Sequence, residues 1–311
     1  MTDLWTLLLV WAAALLLDHW LGEPRRWHPV VGFGNLAAAI EKRFNRNPDK
    51  GFRPGLLALV LAVVPPVLAA VLLVWLLPPS LQLVVGAVGL WLALSLRGLA
   101  EHGRAVADAL IHRDLALARE QVGRIVSRQT EALDETAVAT AASESMLENG
   151  ADAVFASLFW FAVAGLPGVV LHRAVNTLDA MWGYRTPRFL TFGRAAARLD
   201  DLLNWPPARL TALSYALRGN TRLALACWRR QAPKWDSPNG GPVMAAGAGA
   251  LSVSLGGPAP YATGLKKRPI LGRGPDADVG TIAAAIRLVE RSVLLWLGVV
   301  LVLAILQEGL A

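Results

Sequence analysis

The stretch "SESMLENGADAVFASLFWFAVAGLPGVVL" (143–171) poses the problem that the fold must solve. Glu144, Glu148 and Asp152 recur every four residues, so a regular helix would carry all three carboxylates on one face. An apolar run follows at once. A solvated helix would intersperse lysines, and a lipid-facing helix would avoid acids. "GLPG" (165–168) offers a turn inside the run. The segment 153–171 is therefore expected to be a re-entrant hairpin or a protein-buried helix, where irregular backbone is shielded from lipid.

Composition sets the class. Of the 311 residues, 55% are hydrophobic and only 17% charged, against roughly 25% charged in soluble domains. Three runs are long enough for a bilayer, which needs about 20 apolar residues. They cover about 4–21, 55–77 and 80–97, and a shorter run near the C-terminus covers 292–306. The expected fold is all-α: a polytopic membrane protein with about four full spans, cytoplasmic amphipathic helices, and 1–311 forming one membrane-embedded domain. The second span holds Pro65-Pro66 and is expected to kink. The N-terminal run follows Asp3, with no Lys or Arg before it, and is read as a retained span rather than a signal peptide. The small-residue segment 240–257 is expected to be a close-packed helix or a second dipping element.

The charge balance is +7. On a membrane protein such an excess points to cytoplasmic loops beside anionic lipid rather than to nucleic acid. The 22–54 loop carries Arg25, Arg26, Lys42, Arg43, Arg46, Lys50 and Arg53, whereas the "PPS" connection after the second span carries no charge. This asymmetry places 22–54 and about 98–290 in the cytoplasm, with both termini outside. Cys227 is the single cysteine, so no intrachain disulfide forms.

Three clusters carry chemistry. Glu144, Glu148 and Asp152 repel one another unless a cation lies among them, and magnesium takes such oxygen ligands. A solvated acidic face is the alternative. In 173–213, Asn176, Asp179, Asp200, Asp201 and Asn204 alternate with Arg173, Arg185, Arg194, Arg198 and Arg209. Arginine forks bind phosphate or carboxylate, and surface ion pairing is the plainer reading. "WDSPNGGP" (235–242) is a turn whose glycines let backbone N–H groups approach an anion; it is not a Walker A loop. The five histidines show no metal-ligand spacing, and His172 is left as background.

Several stretches together resemble the CobD/CbiB family of membrane adenosylcobinamide-phosphate synthases. They are "DHWLGEPRRWHPVVGFG", "SRQTEALDETAVATAASESMLENGADAVFASLFWF", "RAVNTLDAMWGY", "FGRAAARLDDLLNWPPARLTA" and "SPNGGPVMAAGAGALSVSLGGPAPY", in order from about 18 to 272. The resemblance implies ATP-dependent amide ligation of adenosylcobyric acid with aminopropanol phosphate, in the late cobalamin pathway. It implies ATP and Mg²⁺, and a bacterial inner membrane with the active site on the cytoplasmic side. Lipid and other late-pathway membrane enzymes are the expected partners. Glu144, Asp179, Asp200 and Asp201 would then be catalytic, and Glu144, Glu148 and Asp152 would hold the metal. Substrates would meet Arg128, Asn149, Arg173, Asn176, Arg198, Asn204, Arg209, Ser237 and Asn239. Trp160, Trp182 and Trp205 would pack on the corrin or anchor at the interface. Gln129 departs from the family, which often has Asp there. A membrane sensor related to AmpE and a corrinoid or anion transporter remain the alternatives.

Overall fold

The computed structural model describes residues 3–24, 26, 28–46, 51–261 and 264–309. Arg25 and Lys50, two of the loop cations weighed above, lie outside the described residues. The helices are α1 (Leu4–Leu21), α2 (Pro29–Phe44), α3 (Phe52–Leu76), α4 (Pro79–Ala93), α5 (Leu96–Ile111) and α6 (Leu115–Gly123). They continue as α7 (Glu135–Gly150), α8 (Ala156–Trp182), α9 (Arg194–Arg218), α10 (Thr221–Gln231), α11 (Gly240–Leu251) and α12 (Val279–Gly309). Four three-residue strands are β1 (Ser254–Gly256), β2 (Ala259–Tyr261), β3 (Gly264–Lys266) and β4 (Ile270–Gly272). The all-α membrane class holds, and among the described residues five stretches are long and apolar enough to cross a membrane: Leu4–Leu21, Phe52–Leu76, Pro79–Ile111, Glu135–Trp182 and Val279–Gly309.

The chain forms two compact units, each assembled from separated pieces of sequence. The first comprises Met1–Ser95, Ala156–Asn204 and Val299–Ala311; the second comprises Leu96–Phe155 and Trp205–Gly298.

In the first unit α1 packs on α4, while α2, α3 and α8 pack on one another and α4 on α8. The inward side of α3 is made of Ala58, Leu59, Ala62, Val63 and Ala70, whereas Leu56, Leu57, Leu61, Leu68 and Leu72 are exposed. Large apolar side chains outside and alanines inside invert the soluble pattern. Lipid makes the outward leucines harmless, and small inward residues let backbones approach. Helix α3 runs through Pro65-Pro66 as one element.

The apolar run after the carboxylates resolves as a bend. Helix α8 leaves helical geometry at Ala164 (φ −139°, ψ 16°) and Gly165 (φ 60°, ψ −149°). The positive φ at Gly165 is cheap only for glycine. Gly168 sits so close to Trp160 that a Cβ there would collide with the Trp160 carbonyl. In an unbroken helix eight residues would separate the two by about 12 Å. "GLPG" is thus the turn that the sequence suggests, with Leu158, Phe161, Leu166 and Val169 buried on its two arms.

The second unit is held by α5, α6 and α7 against one another and by α10 against α11. The helices between 96 and 150 are divided at two aspartates. Asp114 caps α6 by accepting from Leu117 N at 2.9 Å, and Asp134 caps α7 by accepting from Ala137 N at 2.8 Å. Both satisfy N–H groups that the first helical turn leaves open. Segment 240–257 is a buried helix only to Leu251; Ser252 turns left-handed (φ 56°) and the chain enters β1. The strands pair antiparallel, β1 with β4 and β2 with β3. They were not foreseen, because three-residue strands show no alternation to read. The C-terminal apolar run lies inside α12, whose 31 residues extend well upstream of it.

Close backbone packing of α11 on α10 predicts a weak point in this unit. A Cβ on Gly249 would lie 2.7 Å from Ala224 Cα and 2.9 Å from Ala224 N. Gly249→Val should therefore lower stability by about 1–3 kcal/mol through overpacking. Gly298, with no heavy atom within 4 Å of its virtual Cβ, should accept alanine without loss. Thermal unfolding of both variants in detergent checks the contrast.

Candidate functional site

Two polar clusters lie in otherwise apolar surroundings, one in each unit. In the second unit the centre is Glu144 on α7, 2% exposed. Its Oε1 accepts from Gly256 N at 2.8 Å and from Arg268 Nη2 at 3.2 Å. Its Oε2 accepts from Arg268 Nη1 at 3.0 Å and from Arg128 Nη2. The side chains of Arg128 and Arg268 are 9% and 6% exposed. Arg268 also donates from Nε to the Gly257 carbonyl at 3.0 Å and stacks 5.1 Å over the Trp235 ring. Buried charges are tolerable only when their remaining hydrogen-bonding positions are filled in this way. The cluster joins the 125–130 loop, α7 and the β1–β4 segment.

The neighbouring groups extend this cluster. Glu148 lies within electrostatic reach of Glu144, Arg128 and Arg268. Gly240 leaves room for its carboxylate: a Cβ there would be 2.5 Å from Glu148 Oε1. The acid thus sits over the N-terminus of α11, where the helix dipole favours it. Ser237 Oγ accepts from Asn239 N at 3.3 Å and Gly240 N at 3.0 Å. Arg209 donates to Asn239 Oδ1 and to the Pro238 carbonyl at 2.8 Å, and its guanidinium lies 4.6 Å over Trp205. Asn149 Nδ2 donates to Ser145 Oγ at 2.8 Å.

The expected metal triad is not assembled. The regular helix ends at Gly150, and Asp152 falls in a π-helical turn, Ala151–Phe155, which breaks the four-residue register. There the Tyr215 hydroxyl donates to the Leu147 carbonyl at 3.0 Å, and Asp152 lies near enough to Tyr215 to help hold its phenol protonated. Among the described residues no group of three or more His, Cys, Asp or Glu side chains could hold a metal. Glu144 has both oxygens taken by guanidinium and amide donors, so Glu144, Glu148 and Asp152 do not fit a magnesium ion. Arg128 is likewise committed to Glu144 rather than open to phosphate.

In the first unit α8 and the start of α9 face each other through amides and carboxylates. Asn176 Nδ2 donates to Asp200 Oδ1 at 3.3 Å and Asn204 Nδ2 to Asp200 Oδ2 at 3.0 Å. His172 Nε2 lies 2.9 Å from Asn204 Oδ1. Asp179 is close enough to feel the charges of Asp200 and Asp201, and Arg185 lies within reach of Asp201. Burial pushes the Asp200 carboxyl above its ordinary range, while the two amides, and Arg173 more weakly, pull it back. Asp179 and Asp200 fit a magnesium ion that keeps phosphate oxygens as its other ligands, a common arrangement.

Of the other expected residues, Arg173 stays within electrostatic reach of Asp200 and the rest do not join this cluster. Arg173 lines a cavity of ≈ 330 Å³ with Pro29, Pro66, Leu166, Val169 and Thr177. Arg198 is exposed on α9. Trp182 is buried, 5.1 Å edge-on from Phe192, so it is closed to a corrin. Trp160 is tied by its indole N–H to the Leu203 carbonyl at 3.0 Å, and Trp205 is exposed. Sequence reasoning missed Arg268, Trp235 and His172. The basic run Lys266-Lys267-Arg268 beside the glycine pair Gly256-Gly257 was the available signal for the first.

Removing the central acid should unbalance the second unit. Glu144→Ala leaves two buried guanidinium groups facing each other and should cost about 3–5 kcal/mol. Glu144→Gln, which keeps the shape and an acceptor, should cost less. Denaturant unfolding in detergent orders the three proteins.

The family described as CobD/Cbib protein matches residues 11–289 of the chain. The cobalamin biosynthesis protein CobD of Stutzerimonas stutzeri is 58% identical over 291 residues, 93% of this chain and 95% of the relative. The protein of the same name from Chromobacterium violaceum is 55% identical over 94% of this chain and 95% of the relative. That from Mycobacterium tuberculosis is 41% identical over 87% of each. No solved structure matches the chain. A match over nearly the whole length, shared with relatives above half identity, makes the chain a member of the CobD/Cbib protein family, whose relatives are named for cobalamin biosynthesis.

Proposed function

We propose that this protein is the amide ligase of the late cobalamin pathway, joining the free propionate of adenosylcobyric acid to the amine of aminopropanol phosphate. The product is adenosylcobinamide phosphate. The observation that carries the reading is the Asp200 carboxylate, almost buried yet held by two amides instead of a cation, with Asp179 beside it. Burial resists the ionised form of such a carboxylate, so the site calls for a cationic partner to hold its charge. The family membership supplies the pathway.

A carboxylate does not condense with an amine unaided. ATP supplies a phosphoryl group that converts it to an acyl phosphate, and magnesium neutralises the phosphate charge when bound. The work left to the protein is positioning and electrostatics. Asp179 and Asp200 would hold the metal–phosphate complex. Asn176 and Asn204 fix the carboxylate of Asp200 in place. Asp201, at the exposed edge of the same helix, would accept a proton from the substrate ammonium, so that its lone pair attacks the acyl carbon and phosphate leaves. The Lys and Arg excess in 22–54 and 98–290 supports a cytoplasmic site in a bacterial inner membrane.

Detergent-purified protein given adenosylcobyric acid, aminopropanol phosphate, ATP and Mg²⁺ should form an amide-linked corrinoid, detected by mass spectrometry, only when ATP is present. Folded protein that makes none, with aminoethyl phosphate also tried, overturns the reading. Asp200→Asn and Asp179→Asn should each lower kcat by about 10²-fold or more. The acid side of the pH–rate profile reports Asp200. Asn176→Ala removes a hydrogen bond that favours the charged carboxylate, so it should move the acid limb to higher pH. An unmoved limb would separate Asp200 from the rate.

A further inference from the structure

His172 touches the aspartate cluster, yet the proposed reaction gives it no task. Its side chain on α8 has no exposed surface. Its one hydrogen bond runs from Nε2 to Asn204 Oδ1 at 2.9 Å, and Nδ1 meets no partner. The tautomer follows from the neighbours. The Asn204 amide nitrogen donates to Asp200 Oδ2, so its oxygen is the end that faces the imidazole. An amide oxygen only accepts. Nε2 therefore carries the hydrogen and Nδ1 is bare. The other tautomer would set two lone pairs against each other at Nε2 and bury an N–H without an acceptor.

An asparagine amide is nearly symmetric in shape. Rotation about one bond exchanges its oxygen and nitrogen, and only hydrogen bonds decide between the two poses. With the ends exchanged, the Asn204 oxygen would face the Asp200 carboxylate and repel it. We propose that His172 is a positioning residue: its Nε2–H locks the Asn204 amide, and so holds the Asp200 carboxylate in its reactive orientation. Donation runs from His172 through Asn204 to Asp200 Oδ2, and from Asn176, on the same helix as His172, to Asp200 Oδ1, so two lines converge on the acid. This assignment rests on the ligase reading for its kinetic consequence, but the tautomer does not.

Three variants test it. His172→Gln places an amide N–H near the position of Nε2. His172→Asn places one near Nδ1, too short to reach Asn204. His172→Phe fills the space without a donor. Positioning predicts that the glutamine variant keeps kcat within about threefold of native, while the asparagine and phenylalanine variants fall about tenfold or more with KM for ATP and amine unchanged. Space filling predicts the reverse order, with phenylalanine best. Native kcat in His172→Phe, or His172→Gln as slow as His172→Asn, overturns the proposal. Nitrogen-15 spectra of histidine-labelled native protein, assigned by difference from His172→Gln, should show hydrogen on Nε2 and a bare Nδ1. Hydrogen on Nδ1 overturns the proposal whatever the assay gives. If native protein forms no product, the ligase reading fails by itself and the tautomer still decides the network.

Discussion

An ionised carboxylate cannot be left bare in an apolar interior, and this chain meets that constraint in two opposite ways. Glu144 is met by cations. Two guanidinium groups and a backbone amide close around it, its charge is more than cancelled, and three segments distant in sequence are tied at one point. Asp200 is met by neutral amides. Its orientation is fixed, but burial opposes its charge and Arg173 offsets this only weakly. The first arrangement is complete and suits a scaffold. The second is incomplete and suits a ligand that brings positive charge.

Much of the fold was legible because it rests on crude signals. Apolar length marks α1, α3 and α4, and "GLPG" marks the bend in α8. The strands escaped notice because nothing in three residues distinguishes a strand from a loop. The π-helical turn at Ala151–Phe155 escaped because spacing rules assume a constant 3.6 residues per turn. That one irregularity undid the carboxylate face that the four-residue spacing suggested.

The site was legible in residue type rather than in partnership. Spacing placed Asn176 with Asp179 and Asp200 with Asn204, and the structure brings Asn176 and Asn204 onto the same Asp200 carboxylate. It could not say that Glu144 would be spoken for, because Arg268 is 124 residues away. Nor could it promote His172, since a lone histidine has no pattern until its neighbours are known. Long-range pairing, not local pattern, decides which acid is neutralised by cations and which is held by amides.

The arrangement of α3 has a consequence for how its sequence stores information. Both faces are apolar, so polarity does not say which side turns inward. Size carries most of that information: Ala58, Ala62 and Ala70 mark the packed side, joined by Leu59 and Val63, and Leu56, Leu57, Leu61, Leu68 and Leu72 mark the outer one. A hydropathy scale reads such a helix as uniform, whereas a ruler for side-chain bulk recovers its orientation from the letters alone.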